Sequence, residues 1–93
     1  MVYSKEQLIE IERLASKLTP ISDIAILMGL DTGVLKMEMK DSSSLVSEYY
    51  RRGKATTAMK LREQEIELAM VGSPLAVQLT SSFLTDMSID EDL

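Results

Sequence analysis

Residues Thr19 to Lys40 read TPISDIAILMGLDTGVLKMEMK, and the fold turns on how that stretch is parsed. Ile21, Ile24, Ala25, Leu27 and Met28 recur at helical spacing, and Gly29 ends the run. Thr19 is placed to accept from the free N–H groups of that helix's first turn. Pro20 at the first helical position gives up a donor that has no partner there. Leu30 is apolar, and Asp31 or Thr32 caps a further helix through Lys40. Its apolar set is Val34, Leu35, Met37 and Met39, weakened by Gly33. A short helix, a glycine turn and a second helix make the pattern of a helix-turn-helix. Ala25 supplies the close contact, Gly29 permits a positive φ and Leu30 buries the turn. Glu38 departs from the pattern, because a buried apolar residue is usual there. A plain helical hairpin is the alternative.

Upstream, Ser4-Lys5-Glu6-Gln7 has the form of a capping box. Leu8, Ile11, Leu14, Ala15 and Leu18 follow at helical spacing, predicting a first helix over about Lys5 to Lys17. Downstream, Asp41 to Ser44 is a break and a fresh cap. From Ser44 to Val71 only Gly53 opposes one long helix, at a cost of about 1 kcal/mol. That helix has two apolar stripes, one through Val46, Tyr50, Leu61 and Leu68, the other through Ala58, Met59, Ile66 and Met70. Two stripes imply two partners, the rest of the domain and another subunit. Gly72-Ser73-Pro74 punctuates the chain. A last helix then carries Leu75, Leu79, Phe83 and Met87, and SIDEDL is an acidic tail expected to fray.

The expected fold is all-α with about five helices. Residues 1–41 form a helix-turn-helix-like tri-helical unit. Residues 42–88 form the long helix and a C-terminal helix for packing and oligomerisation, and residues 89–93 the acidic tail, all within one compact domain. A chain of 93 residues suits one small domain with a modest core. Methionines are read as core or interface filler, with a Met-lined groove for a partner helix as the lesser option.

No cysteine or histidine is present, which excludes disulfides, thiolate metal sites and histidine acid–base chemistry. Glu63 and Glu67 lie one turn apart, but no other catalytic group accompanies them. No catalytic residue, metal site or cofactor is expected. No apolar run approaches a membrane span, and the first residues are too charged for a signal peptide, so a cytoplasmic protein is expected.

The net charge is −5, and its distribution is uneven. Residues 42–65 hold five cations against three acids, whereas residues 66–93 hold five acids and no cation. Arg51, Arg52 and Lys54 are the densest basic cluster. With Thr32, Lys36 and Lys40 on the second helix of the motif, they form a candidate surface for double-stranded DNA. Phosphates would take the cluster and a hydroxyl of Tyr49 or Tyr50. The alternative buries Tyr50 in the core and leaves Arg51 and Lys54 in water beside Glu48.

The order of parts resembles the small subunit of phage and prophage terminases. The residues that carry the likeness are ISDIAILMGL, YYRRGKA and LREQEIELAMVGSPLAVQL, within residues 5 to 85. The resemblance implies a non-enzymatic DNA-packaging component whose helix-turn-helix binds DNA and whose later helices assemble subunits. It further implies a partner in a large terminase subunit and a bacterial host or prophage setting. Leu61, Ile66, Leu68, Leu79 and Phe83 are the expected subunit contacts. The third helix is less basic than such a role favours, and the chain leaves little room for a separate motor-binding domain. An assembly module without DNA binding and a helix-turn-helix transcriptional regulator are the alternatives.

Overall fold

The computed structural model describes residues 2–91, and these residues form five α-helices. The first, α1 (Lys5–Ser16), opens with the expected capping box. Ser4 Oγ accepts from the Gln7 N–H at 3.1 Å, and Gln7 Oε1 accepts from the Ser4 N–H at 2.9 Å. Leu8, Ile11, Leu14 and Ala15 turn inward. The helix closes where the Leu18 N–H donates to the Ala15 carbonyl and the Thr19 N–H to the Leu14 carbonyl. Leu18 takes φ +60 to allow this.

The start of α2 (Ile21–Met28) differs from the sequence expectation. Pro20 occupies the cap position itself, and no side-chain oxygen caps the helix. A residue before proline is driven out of the helical region. Thr19 accordingly belongs to the closure of α1 rather than to the first turn of α2. At the other end Gly29 adopts φ +68, and the Leu30 N–H reaches the Ala25 carbonyl at 2.8 Å. This is the expected glycine turn. Asp31, not Thr32, caps α3 (Thr32–Lys40), accepting from the Val34 N–H at 2.9 Å.

Ile24 and Ala25 of α2, Leu35 of α3 and Ile11 of α1 are fully buried together. Val46 and Tyr49 join them from α4 (Leu45–Met70). Ser44 ties the two last helices of this core, donating to the Glu38 carbonyl and accepting from the Ser47 N–H. The α4 helix is continuous through Gly53, which lies against α1. A Cβ there would overlap the Glu12 carbonyl oxygen and come within 3.1 Å of Ala15 Cβ. One turn on, the Thr57 hydroxyl donates to the Ser16 carbonyl.

Gly72 (φ +94) ends α4 with the same pair of bonds seen after α2, and Ser73 Oγ accepts from the Ala76 N–H to start α5 (Pro74–Glu91). Instead of fraying at Ser88, α5 runs on to Glu91; Asp92 and Leu93 of the expected tail lie outside the described residues.

Contacts group the chain into two compact units, Met1–Thr57 and Ala58–Leu93. The division falls inside α4, whereas the sequence reading drew its boundary at residue 41 within a single compact domain. The first turns of α4 complete the tri-helical core through Val46, Tyr49 and Gly53, so they group with it. Among its described residues the second unit buries only Ala76.

Candidate nucleic-acid and assembly surfaces

Buried Leu35 sets the inner side of α3, and Gly33, Lys36, Met37 and Lys40 stand exposed on the outer side. Lys36 and Lys40 are one turn apart on it. Thr32 is half-buried at the first position of the helix. The outer face is thus two ammonium groups flanking a thioether, with Met37 68% exposed. On α2 the exposed side chains include Asp23, Ile26 and Leu27.

The position that looked anomalous in the sequence has a polar neighbour. Glu38 is half-buried, and its carboxylate faces Tyr3, whose hydroxyl is shut off from solvent. Burial first, then the charge of Glu38, raises the Tyr3 pKa above its ordinary value. The N-terminal segment thereby covers the place where a helix-turn-helix usually buries an apolar side chain. At the end of α3, Asp41 Oδ1 accepts from both the hydroxyl and the N–H of Ser43, which hold its carboxyl below the usual range.

Arg51, Arg52 and Lys54 do not act as one cluster. Successive residues of a helix point about 100° apart, so Arg51 and Arg52 leave α4 in different directions. Arg51 donates to the Ser42 carbonyl at 2.7 Å and to Ser47 Oγ at 3.3 Å, which fastens it to the α3–α4 turn. Arg52 turns toward α1, lying 3.3 Å from both Glu12 and Glu48 and 4.8 Å from the Tyr49 ring centroid. Its charge is largely answered within the chain. Lys54 is exposed and makes no ion pair among the described residues.

Tyr49, rather than Tyr50, is the buried tyrosine of the pair. Its hydroxyl accepts from Lys5 Nζ at 2.5 Å, and the same ammonium lies 5.2 Å from its ring centroid. That hydroxyl is therefore engaged with α1. Tyr50 is half-buried against the core. Sequence reasoning missed Lys5 and Glu12 as partners of this region, because ion pairs between distant helices leave no spacing signal.

Leu61, Ile66, Leu68 and Leu79 are exposed, and Phe83 is half-buried under the Arg62 guanidinium, 5.7 Å from its ring centroid. They divide between two sides of the α4–α5 pair. Ile66 and Phe83 line a groove of about 430 Å³ together with Met70, Val77 and Leu84, whereas Leu68 lines a separate depression with Gln64, Glu67 and Val71. Val77 and Leu84 were not singled out from the sequence. They lie two turns apart, a repeat hidden behind the more regular spacing of Leu75, Leu79, Phe83 and Met87.

Among the described residues no group of three or more acidic side chains stands where it would hold a metal ion, and no helix is long and apolar enough to cross a membrane. No family model, no curated protein and no solved structure matches the chain.

Proposed function

We propose that this chain is a non-catalytic, self-assembling DNA-binding protein of the terminase small-subunit type. The supporting observation is the second unit. Among its described residues this unit buries one alanine and exposes Ile66, Leu68, Met70, Leu79 and Leu84, far more apolar surface than an isolated hairpin sustains in water. Covering it by assembly is the economical explanation. For the DNA half, the support is the outer face of α3, where Lys36 and Lys40 stand exposed behind a glycine turn. Lys54 adds a further phosphate contact, and Arg51 rigidifies the turn beside it. The resemblance adds a large terminase subunit as partner and the cytoplasm of a bacterial host as setting.

Light-scattering mass and duplex binding across a salt series test the two halves separately. A defined oligomer whose DNA affinity falls steeply with salt is the expected result. A monomer at every concentration overturns the assembly half, and no duplex binding at low salt overturns the DNA half.

A second reading, an assembly module whose helix-turn-helix is purely architectural, is favoured by a specific observation. Met37, Ile26 and Leu27 are exposed on α3 and α2, and Arg52 is neutralised by Glu12 and Glu48. It predicts the same oligomer with no DNA affinity.

A further inference from the structure

The net charge of −5 falls entirely beyond Thr57. Residues 1–57 hold eight acids and eight cations, whereas residues 58–93 hold seven acids against Lys60 and Arg62. These two stretches are the two compact units of the chain. Ion pairing follows the same line. Among the described residues the pairs of Arg13 with Glu10, and of Arg52 with Glu12 and Glu48, join residues of the first unit, and none joins residues of the second. Arg62 lies over the Phe83 ring and lines one depression with Asp86 and Asp90, so a single cation faces two carboxylates.

The acids also stand where a helix tolerates them least. Glu63 and Glu67 on α4, and Asp86 and Asp90 on α5, lie one turn apart, a spacing at which like charges repel. Neither helix has a basic residue in its last turn. Glu67 instead sits at the end of α4, and Asp90 and Glu91 at the end of α5, against the negative pole of each helix dipole. All five hydroxyl residues of α5, Thr80, Ser81, Ser82, Thr85 and Ser88, donate to carbonyls three or four residues earlier. Such bonds slightly weaken the helix that carries them. Burial does not compensate. The first unit shuts Ile11, Ile24, Leu35 and Val46 away from solvent, and the second buries only Ala76 among its described residues. Units below about 40 residues usually need a disulfide, a metal or a partner to stay folded, and this chain has no cysteine.

We infer that residues 58–91 are a folding unit gated by ionic strength: this part of α4 and the whole of α5 lose and regain their helices while residues 1–57 stay folded. At about 10 mM salt the screening length is about 30 Å, and each acid of the unit feels the others. At about 0.15 M it is about 8 Å, and only the nearest pairs still repel. The ordered fraction therefore rises with salt, and with it the display of Ile66, Met70 and Leu84 on formed helices. The first unit responds in the opposite sense, because its ion pairs are attractive and weaken on screening. The gate operates within one chain, whether or not copies associate.

Amide hydrogen exchange of the full chain tests this, read on peptic fragments at about 10, 50 and 150 mM sodium chloride and at several protein concentrations. At the lowest salt, amides of residues 60–91 are expected to exchange at least about tenfold faster than those of α1, α2, α3 and residues 46–57. At the highest salt they are expected to slow at least about threefold, while the first unit slows not at all. Glu67→Gln combined with Asp90→Asn removes one acid from each repelling pair. It is expected to slow exchange in the second unit at low salt and to shrink its salt response. The amides of the first unit report that this variant is folded. Comparison at the lowest protein concentration separates slowing by salt from slowing by association. Equal protection of the two units at low salt overturns the inference. So does exchange in the second unit that follows protein concentration but not salt, and so does a salt response that the double variant keeps in full.

Discussion

Gly53 of α4 lies so close to the Glu12 carbonyl of α1 that no other residue fits between the two helices. The neighbour is backbone and cannot rotate away. Gly53→Ala gains about 1 kcal/mol of helix propensity, but the overlap forces the helices apart at a cost of about 1–3 kcal/mol, with the Thr57–Ser16 bond one turn away disturbed as well. The expected outcome is a net loss of stability, read as a lower urea midpoint. A midpoint that rises would mean that α1 and α4 cross less tightly than this.

Arg52 is expected to act on stability more than on DNA. Its two carboxylate contacts are half-exposed and contribute at most about 1 kcal/mol together with the Tyr49 ring. Arg52→Ala should therefore lower the unfolding free energy by about that much and leave the salt slope of duplex binding nearly unchanged. Lys36→Gln with Lys40→Gln should do the reverse, reducing that slope by about two while leaving the unfolding midpoint in place. Equal loss of binding in both proteins would contradict this division of labour.

Asp41 and Tyr3 give the stability pH dependences of opposite sign, with Glu10, lowered by its hydrogen bond from Arg13, acting in the same direction as Asp41. The Asp41 carboxyl titrates below its usual range because Ser43 donates to it twice. Its contribution is present at neutral pH, above the unfolded value, and is lost as pH falls through the lowered folded value. Tyr3 titrates above its usual range through burial and the Glu38 charge. Its contribution is complete below the unfolded value, near pH 10, and is lost as pH rises beyond it. Asp41→Asn should thus reduce the acid limb of a stability–pH curve, where Glu10 beside Arg13 keeps its own share, and Tyr3→Phe should reduce the alkaline limb, each leaving the other limb alone.

Much of the architecture is legible in the chain because its punctuation is strong. Ser4 and Gln7, Gly29, Asp31, Ser44 and Gly72-Ser73-Pro74 each bound a helix where local chemistry says they should. Thr19 misled because two adjacent residues compete for one cap, and the closure of α1 takes precedence. The candidate surfaces are less legible. Three cations within four positions look like a patch, yet the helical turn sends Arg52 toward Glu12, forty residues away in sequence. Which of Tyr49 and Tyr50 is buried depends on where α1 lies, and no local pattern encodes that.

Three helices, α1, α2 and α4, end in the same pair of backbone bonds, which demands a left-handed residue just past the helix. Two of those ends use Gly29 and Gly72, while the first uses Leu18, a half-exposed side chain held at φ +60. A residue with a Cβ pays for that conformation with about 1–2 kcal/mol that glycine would not incur. The first helix end therefore holds an untapped reserve of thermal tolerance. Leu18→Gly raises the melting temperature without touching either candidate surface, and so offers a sturdier background in which the disruptive variants above can be read.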